Sequence, residues 1–388
     1  MGRPLIALDA LVLRPRLTGV SRAILDWTAA LAEADRGCDF AVLCAYPELL
    51  GHLAERPGWR LVPCPGARGG IARKAIFTQT ALPGLLRRLP ADLLHCFGFI
   101  VPLCAPCPTV ATVFDLGFRL FPSTIERPRR LYYRCLVPRS LRSAAAIVCC
   151  SDATAADVKA WLPELAARVH VTPLGVPTWV NARTRGLREA GDAAPFLFVG
   201  TLEPRKNLER LLRAYQALRR QRRQENLPCP PLVLVGGRGW QDGPLRRVLA
   251  PLVAEGSVVA MDYCSDDELW RQYGLARALL APSLMEGFGL PILEAMAAGL
   301  PVMTGNRGAM AEVAGDAALL VDPLDEESLR HGMQRLLDEP ALGRELAARG
   351  RDNLRRWTWR RTASTTCEVY RNLLGHSAES SPARGGKG

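Results

Sequence analysis

The chain has 388 residues, 48% of them hydrophobic and 23% charged, with 34 Gly and 30 Pro scattered as punctuation, which excludes disordered, collagen-like and repeat architectures. Its longest apolar runs, such as 144–150 and 275–282, fall short of the roughly 20 residues that span a bilayer, so a membrane-spanning helix is excluded. A formal net charge of +12 points to anionic partners: nucleic acid, an acidic membrane face or phosphorylated small molecules.

The N-terminus, MGRPLIALDALVLRPRLTG, lacks a small-residue cleavage site after its short apolar run and reads as a cytoplasmic start. Apolar runs of four to six residues then alternate with helical periodicity, the pattern of repeated βαβ units and parallel sheets. In the first half, strands are expected at 5–8, 39–44, 60–63, 93–95, 109–114, 145–150 and 170–172, with helices at 19–34, 72–88, 128–142 and 153–161. Pro128 suits a first helical turn, whereas Pro138 is expected to kink or divide its helix. The Gly- and Pro-rich stretch PLGVPTWVNARTRGLREAGDAAP reads as a linker. A second series follows, with strands at 196–199, 232–235, 258–261, 278–281, 301–304 and 318–321. Its helices are expected at 208–220, 244–255, 266–273, 291–298, 326–337, 341–356 and 362–374, with a disordered tail from His376. The resulting division is 1–177, a linker 178–194, 195–356, a C-terminal helix 357–375 packing back on the first domain, and the tail 376–388.

Twelve cysteines, irregularly spaced in a chain long enough to build its own core, are expected to be reduced and mostly buried. Cys104 and Cys107 form a lone CxxC without a second pair or two histidines nearby, so no metal site is expected.

The most informative segment is 283–298, SLMEGFGLPILEAMAA, directly after a predicted strand. Pro291 fits the first turn of a helix, and Gly287 and Gly289 just before it let backbone approach a ligand closely. The amides from Gly287 through Phe288 and Gly289 to Leu290, with the helix N-terminus, make a place for a phosphate or diphosphate. Glu286 before the turn and Glu294 about one helical turn inside flank that place, and each can accept hydrogen bonds from a pair of sugar hydroxyls. For a lone pair of glutamates the default reading is a tight turn and a residue favoured by the helix dipole. A second segment, VGTLEPRKN at 199–207, places Gly200 at a strand end, then Arg205 and Lys206, then Asn207 as a cap for the next helix. Two adjacent cations can grip a phosphate. Taken alone they form a solvated basic turn, but both segments leave strand ends of one domain and can converge.

Together, FVGTLEPRKNLERLL and APSLMEGFGLPILEAMAAGLPV resemble the donor half of the retaining glycosyltransferases of the GT-B fold, family four, with the E-x7-E spacing met by Glu286 and Glu294. TGVSRAILD near the start resembles the acceptor-domain glycine loop, and VTPLGV the entry to the linker. The resemblance implies an α/β chain of two doubly wound Rossmann-like domains facing across a cleft. It implies that Arg205 and Lys206 bind the diphosphate of a nucleotide-sugar, that Glu294 binds the ribose and that Glu286 contacts the transferred sugar. The amides at Gly287, Phe288, Gly289 and Leu290 then hold phosphate and sugar, Gly200 lies in the donor loop, and Gly19 allows close approach to the β-phosphate. Asp115 joins Glu286, Arg205 and Lys206 among the implied catalytic residues. One departure stands beside it: family members commonly place His before this Asp, and TVFDL has Phe114 there. His95, at a neighbouring strand end, is a candidate to touch the same substrate. No cofactor or metal is implied beyond the nucleotide-sugar itself, and overall likeness to mannosyltransferase-like members makes GDP-mannose the donor guess.

The charge is uneven. Residues 1–180 hold 21 Lys plus Arg against 13 Asp plus Glu, a surplus of eight. Arg73, Lys74, Arg87 and Arg88 bracket one apolar segment, and Arg127, Arg129, Arg130, Arg134, Arg139 and Arg142 cluster on another helix. Such a surface can lie on an anionic leaflet, which suits a glycan or lipid-linked glycan acceptor at the cytoplasmic membrane face, or can be a solvated helix face. Competing readings are a nucleotide-sugar epimerase or hydrolase on the same fold, a non-catalytic scaffold, and a basic nucleic-acid binder. No recognition module supports the last, and no nucleic-acid partner is expected.

Overall fold

A computed structural model of the chain describes residues 2–34, 37–124, 126–181, 191, 193–237 and 243–379. The chain divides into two compact units. One comprises 1–116, 131–175 and the segment from Trp359 onward, and the other comprises 117–130 and 176–358.

The first half supplies β1 (Leu5–Asp9), α1 (Gly19–Glu33), β2 (Asp39–Cys44), β3 (Trp59–Pro63), α2 (Ile71–Arg88), β4 (Leu93–Cys96) and β5 (Thr109–Val113). After them come α3 (Gly117–Leu120), α4 (Arg127–Ser143), β6 (Ala146–Cys149), α5 (Asp152–Trp161), β7 (Val169–Val171) and α6 (Thr178–Asn181). The seven strands form one parallel sheet in the order β3-β2-β1-β4-β5-β6-β7. The inner strands β4, β5 and β6 are buried along their whole length, which is why they read as continuous apolar runs without alternation. Pro138 does not divide α4, which runs unbroken from Arg127 to Ser143. The proline is half-exposed, so the carbonyl it leaves without an N–H faces solvent, where water can replace the bond.

The second series is β8 (Phe196–Val199), α7 (Leu208–Gln224), β9 (Leu232–Val235), α8 (Gly243–Ala254), β10 (Val258–Met261), α9 (Asp266–Leu275) and β11 (Ala278–Ala281). It continues with α10 (Leu290–Ala297), β12 (Val302–Gly305), α11 (Gly308–Ala314), β13 (Leu319–Val321), α12 (Glu326–Asp338), α13 (Pro340–Asn353) and α14 (Trp359–Glu379). Its six strands are again all parallel, in the order β10-β9-β8-β11-β12-β13. Phe196, Phe198, Leu211, Tyr215, Leu234 and Leu280 form the centre of its core.

Three expectations need correction. The helix α11 was not anticipated. The C-terminal helix does not end at 374 before a disordered tail: its backbone stays helical through Glu379, and 380–388 lie outside the described residues. The twelve cysteines are all free thiols, but only Cys44, Cys64, Cys96, Cys149 and Cys150 are buried. Of the expected linker, 182–190 and 192 lie outside the described residues, and α6 occupies its start. Helix α14 groups with the first unit, where Trp27 on α1 donates its indole N–H to Thr366 Oγ1 at 2.9 Å.

Candidate functional site

In a doubly wound sheet, the loops leaving two neighbouring strands diverge where the strand order reverses, and ligands settle in the crevice that results. In the second unit that point lies between β8 and β11, which are paired in the sheet. The loop after β8 carries Gly200 to Asn207 and the loop after β11 carries Pro282 to Gly289, so topology alone brings the two sequence segments together.

Their side chains meet. Arg205 Nη1 donates to Glu286 Oε2 at 2.8 Å, and Lys206 Nζ donates to Glu286 Oε1. Ser283 Oγ donates to the same Oε1 at 3.1 Å, and Arg205 Nε donates to Glu203 Oε2 at 2.8 Å. The Leu284 amide donates to the Arg205 carbonyl at 2.8 Å, tying loop to loop through the backbone. The side chains of Arg205 and Glu286 are 20% and 12% exposed, partly withdrawn from water yet still accessible. Burial alone would push the Glu286 carboxyl up, but Lys206 and Arg205 beside it outweigh that and hold it below the usual carboxylate range. Glu286 thus stays ionised at neutral pH, and together with Glu203 it balances the two cations.

A small pocket opens at this corner, lined by Phe198, Lys206, Ser283, Glu286, Gly289 and Met310. Gly289 caps α10 with φ of +103°, a left-handed conformation that costs glycine nothing, and no side chain caps the helix end. A Cβ there would also come within 3.2 Å of Met310 Sδ on α11. Gly200 is likewise at positive φ, with the aliphatic stem of Lys206 against it. Gly287, Phe288 and Leu290 are buried, and the Phe288 ring packs edge-on against Trp357 at 5.2 Å, so this loop can offer a ligand its backbone but not its apolar side chains.

Glu294 lies within α10 and is 6% exposed. Its Oε2 accepts a hydrogen bond at 2.7 Å from the hydroxyl of Tyr273 on α9, itself buried. No local pattern marked Tyr273, because its partner is 21 residues away on another helix. Asn207 also differs from expectation. It stands at the start of α7 with a left-handed backbone, φ 61°, and caps no backbone N–H of that helix, its Oδ1 accepting from the Arg210 guanidinium at 2.6 Å. Its Nδ2 instead donates to the carbonyls of Pro282 and Pro323 at 3.1 and 2.5 Å, pinning together the loops after β8, β11 and β13.

The first unit's candidates fare differently. Gly19 is exposed at the first residue of α1, a helix capped by Thr18, whose Oγ1 accepts from the Ser21 amide at 3.3 Å. Asp115 and Phe114 are half-buried just after β5, and the Phe114 ring stands edge-on to Trp27 at 6.5 Å. His95 is a correction: it is 0% exposed, with Nδ1 bonded to Tyr370 Oη at 2.5 Å and Nε2 to Thr112 Oγ1 at 2.7 Å. Both nitrogens are used inside the core, and burial holds the imidazole neutral, its pKa pushed down to about 3, so it cannot reach a substrate.

Residues 17–180 match the family model described as Glycosyltransferase Family 4, and 184–357 match that of Glycosyl transferases group 1. O-antigen chain mannosyltransferase B of Escherichia coli is 34% identical over 276 residues, covering 68% of this chain and 70% of that protein. The MMP alpha-(1->4)-mannosyltransferase of Mycolicibacterium hassiacum is 32% identical over 248 residues, 62% of this chain and 57% of that one. Sucrose-phosphate synthase from Thermosynechococcus elongatus shares the fold with a TM-score of 0.71 at 21% identity, over 96% of this chain and 100% of the other. So does WaaG, a glycosyltransferase involved in lipopolysaccharide biosynthesis, with a TM-score of 0.69 at 18% identity, over 94% and 99%.

Proposed function

Since the chain belongs to the family-four glycosyltransferases of the GT-B fold, we propose that it transfers mannose from GDP-mannose, with retention, to a glycan or lipid-linked glycan in cell-surface polysaccharide synthesis. The observation that carries this reading is the meeting of Arg205, Lys206 and Glu286 at the lip of α10 within one unit, with Lys206 and Glu286 lining the pocket there. The choice of mannose draws on the mannosyltransferase relatives.

The chemistry follows from what these groups can exchange. A diphosphate carries more negative charge than a carboxylate, so an incoming donor takes Arg205 and Lys206 from Glu286 and leaves that carboxylate beside the sugar. As the anomeric bond breaks, charge builds on the departing nucleoside diphosphate, and two cations already held in place stabilise it without reorganisation. The freed Glu286 and the phosphate oxygens stabilise the oxocarbenium-like sugar, and Glu294 accepts from the ribose hydroxyls. Attack by the acceptor occurs on the face that the leaving phosphate vacates, with that phosphate taking the acceptor proton. Arg205 and Lys206 supply the counter-charge, so the proposed reaction uses no metal. A lipid-linked acceptor sets this reaction at the cytoplasmic membrane face.

A thermal-shift screen of GDP, UDP, dTDP and ADP, followed by their sugars, tests the donor. A ligand at about a hundred times its Kd adds roughly 2.7 kcal/mol of stability, a shift of several degrees, and GDP is expected to give the largest. No response to any nucleotide would remove the donor site. Proton NMR of the product then reports the anomer, and consumption of GDP-mannose without an acceptor would replace transfer by hydrolysis or epimerisation.

A further inference from the structure

We infer that the loops leaving β1, β2 and β3 build a phosphate-binding subsite from Arg14, Tyr46 and Arg68, fitted to an acceptor that carries a phosphate group. The inference rests on the proposed function and narrows its acceptor class. All three residues belong to the first unit. The three strands are neighbours in its sheet and end level with one another, Asp9 paired with Leu43 and Cys44 with Pro63. Their C-terminal ends form the edge at which open parallel sheets take ligands. Arg14 lies in the loop after β1, Tyr46 just beyond β2 and Arg68 in the segment after β3. The two guanidinium carbons stand 5.9 and 5.3 Å from the centre of the Tyr46 ring, so one ring gathers two cations from separate loops.

What holds these arginines sets them apart from Arg205 in the second unit. Arg14 Nη1 donates to the carbonyls of Leu11 and Leu13, both at 2.9 Å, and its Nη2 donates to the Gly69 carbonyl at 3.2 Å, tying the loop after β1 to the segment after β3. Arg68 Nε donates to the Ala45 carbonyl at 2.7 Å. Carbonyl dipoles fix a guanidinium without cancelling its charge, whereas Arg205 is balanced by Glu203 and Glu286. Among the described residues, neither Arg14 nor Arg68 pairs with a carboxylate. Glu48, close by in sequence, is exposed and bonds neither, and Asp9 is buried with its Oδ1 accepting from the Leu11 amide. Two like charges held at one ring repel each other, and an anion bound between them removes that cost. Arg68 is exposed and spends only Nε on the protein, so Nη1 and Nη2 remain for the fork that grips a phosphate in bidentate fashion. A neutral glycan leaves both charges unanswered. A phosphate answers them, whether it joins a glycan to a lipid carrier or belongs to a free sugar phosphate.

The test is isothermal titration of the full chain, with GDP present to fill the donor pocket, using octyl phosphate below its micelle concentration, inorganic phosphate and, as a neutral control, octyl glucoside. Both phosphates are expected to bind, more weakly at high salt, and octyl glucoside is not. Arg68→Gln removes an exposed charge and should weaken both phosphates about tenfold to a hundredfold, the scale of one charge-assisted pair, with the melting temperature unchanged. Arg68→Lys should recover only part of that loss, since an ammonium cannot form the fork. Arg14→Gln should weaken binding as well, but it also frees the carbonyls that tie the loops, so Arg68→Gln is the deciding variant. Octyl phosphate held about tenfold tighter than inorganic phosphate or more assigns the subsite to a lipid-linked acceptor, and equal affinity assigns it to a free sugar phosphate. No binding of either phosphate, or affinities unchanged in Arg68→Gln, overturns the inference. The thermal shift with GDP is read on every sample: a GDP response without Arg68-dependent phosphate binding fails this subsite alone, and Arg68-dependent phosphate binding without a GDP response fails the donor reading alone.

Discussion

The two sheets reverse strand order at equivalent places, between β1 and β4 in the first unit and between β8 and β11 in the second, yet the strand ends there are put to opposite uses. In the second unit the loops deliver Arg205, Lys206 and Glu286 to the lip, partly exposed and bonded to one another. In the first, Asp9 ends β1 buried, with Oδ1 accepting from the Leu11 amide at 2.8 Å, and His95 near the end of β4 is spent on Tyr370 and Thr112. Topology therefore supplies a crevice but not a site. A strand-end polar group becomes available for chemistry when its partners are exchangeable charges at the surface, and is structural when backbone amides and core hydroxyls satisfy it from within.

The largest effect that sharpens this contrast is expected from the triad itself. Lys206→Ala and Glu286→Ala should each lower kcat by about a hundredfold to a thousandfold, the scale of losing one preorganised charge at a transition state. They should differ in binding. Lys206→Ala weakens GDP, whereas Glu286→Ala, which removes the carboxylate that competes for both cations, keeps GDP affinity or raises it severalfold. Isothermal titration with GDP beside initial-rate measurements separates the two. Equal loss of GDP affinity in both would mean that Glu286 organises the site and does not compete within it. Both chains should fold, since Arg205 retains a carboxylate partner in either case, Glu203 in one and Glu203 with Glu286 in the other.

How much of this was legible beforehand follows the range of the forces involved. The strands of the second sheet were readable because each is a short apolar run bounded by turn residues, and 196–199, 232–235, 258–261 and 278–281 coincide with β8 to β11. The meeting of 205–206 with 286 was readable because parallel topology dictates it. Helix α11 was not, since it has only seven residues, starts at Gly308 with φ of +56° and has no side-chain cap. Asn207 stands at a helix start, as its residue type favours, but two long-range carbonyls outcompete the cap. The burial of His95 has no local signature, since a histidine at a strand end looks the same in sequence whether a substrate or Tyr370, 275 residues later, is its partner.

The reading of His95 as core makes an intermediate prediction. His95→Gln should cost about 1–3 kcal/mol of stability, the price of a disturbed buried hydrogen-bond pair, while leaving the GDP-mannose KM unchanged for enzyme held well below its melting temperature. The sign of the pH effect is fixed by the direction of the shift. The folded imidazole titrates near 3 and the unfolded one near 6.5, so between those values the unfolded chain binds the extra proton. The contribution of neutral His95 is complete above pH 6.5 and is lost as pH falls toward 3, at up to about 1.4 kcal/mol per pH unit. Urea titrations at several pH values should show that slope flattened in His95→Gln. A raised KM with an unchanged slope would return His95 to the substrate.

The smallest effect concerns Tyr273, the residue in the second unit that resembles His95 in being buried and bonded to another side chain. The difference is that its partner is Glu294, the carboxylate assigned to the ribose, so the hydroxyl positions a binding group. Tyr273→Phe keeps the ring and removes one hydrogen bond, worth about 1.5–3 kcal/mol at most for a charged acceptor and less after relaxation. KM for the nucleotide-sugar is expected to rise about tenfold, with kcat within about twofold, because ribose contacts are made equally in the ground and transition states. A 2′-deoxy donor, which already lacks one ribose hydroxyl, should be affected less than the parent. Equal sensitivity of both donors would leave the Tyr273–Glu294 bond as a packing interaction between α9 and α10.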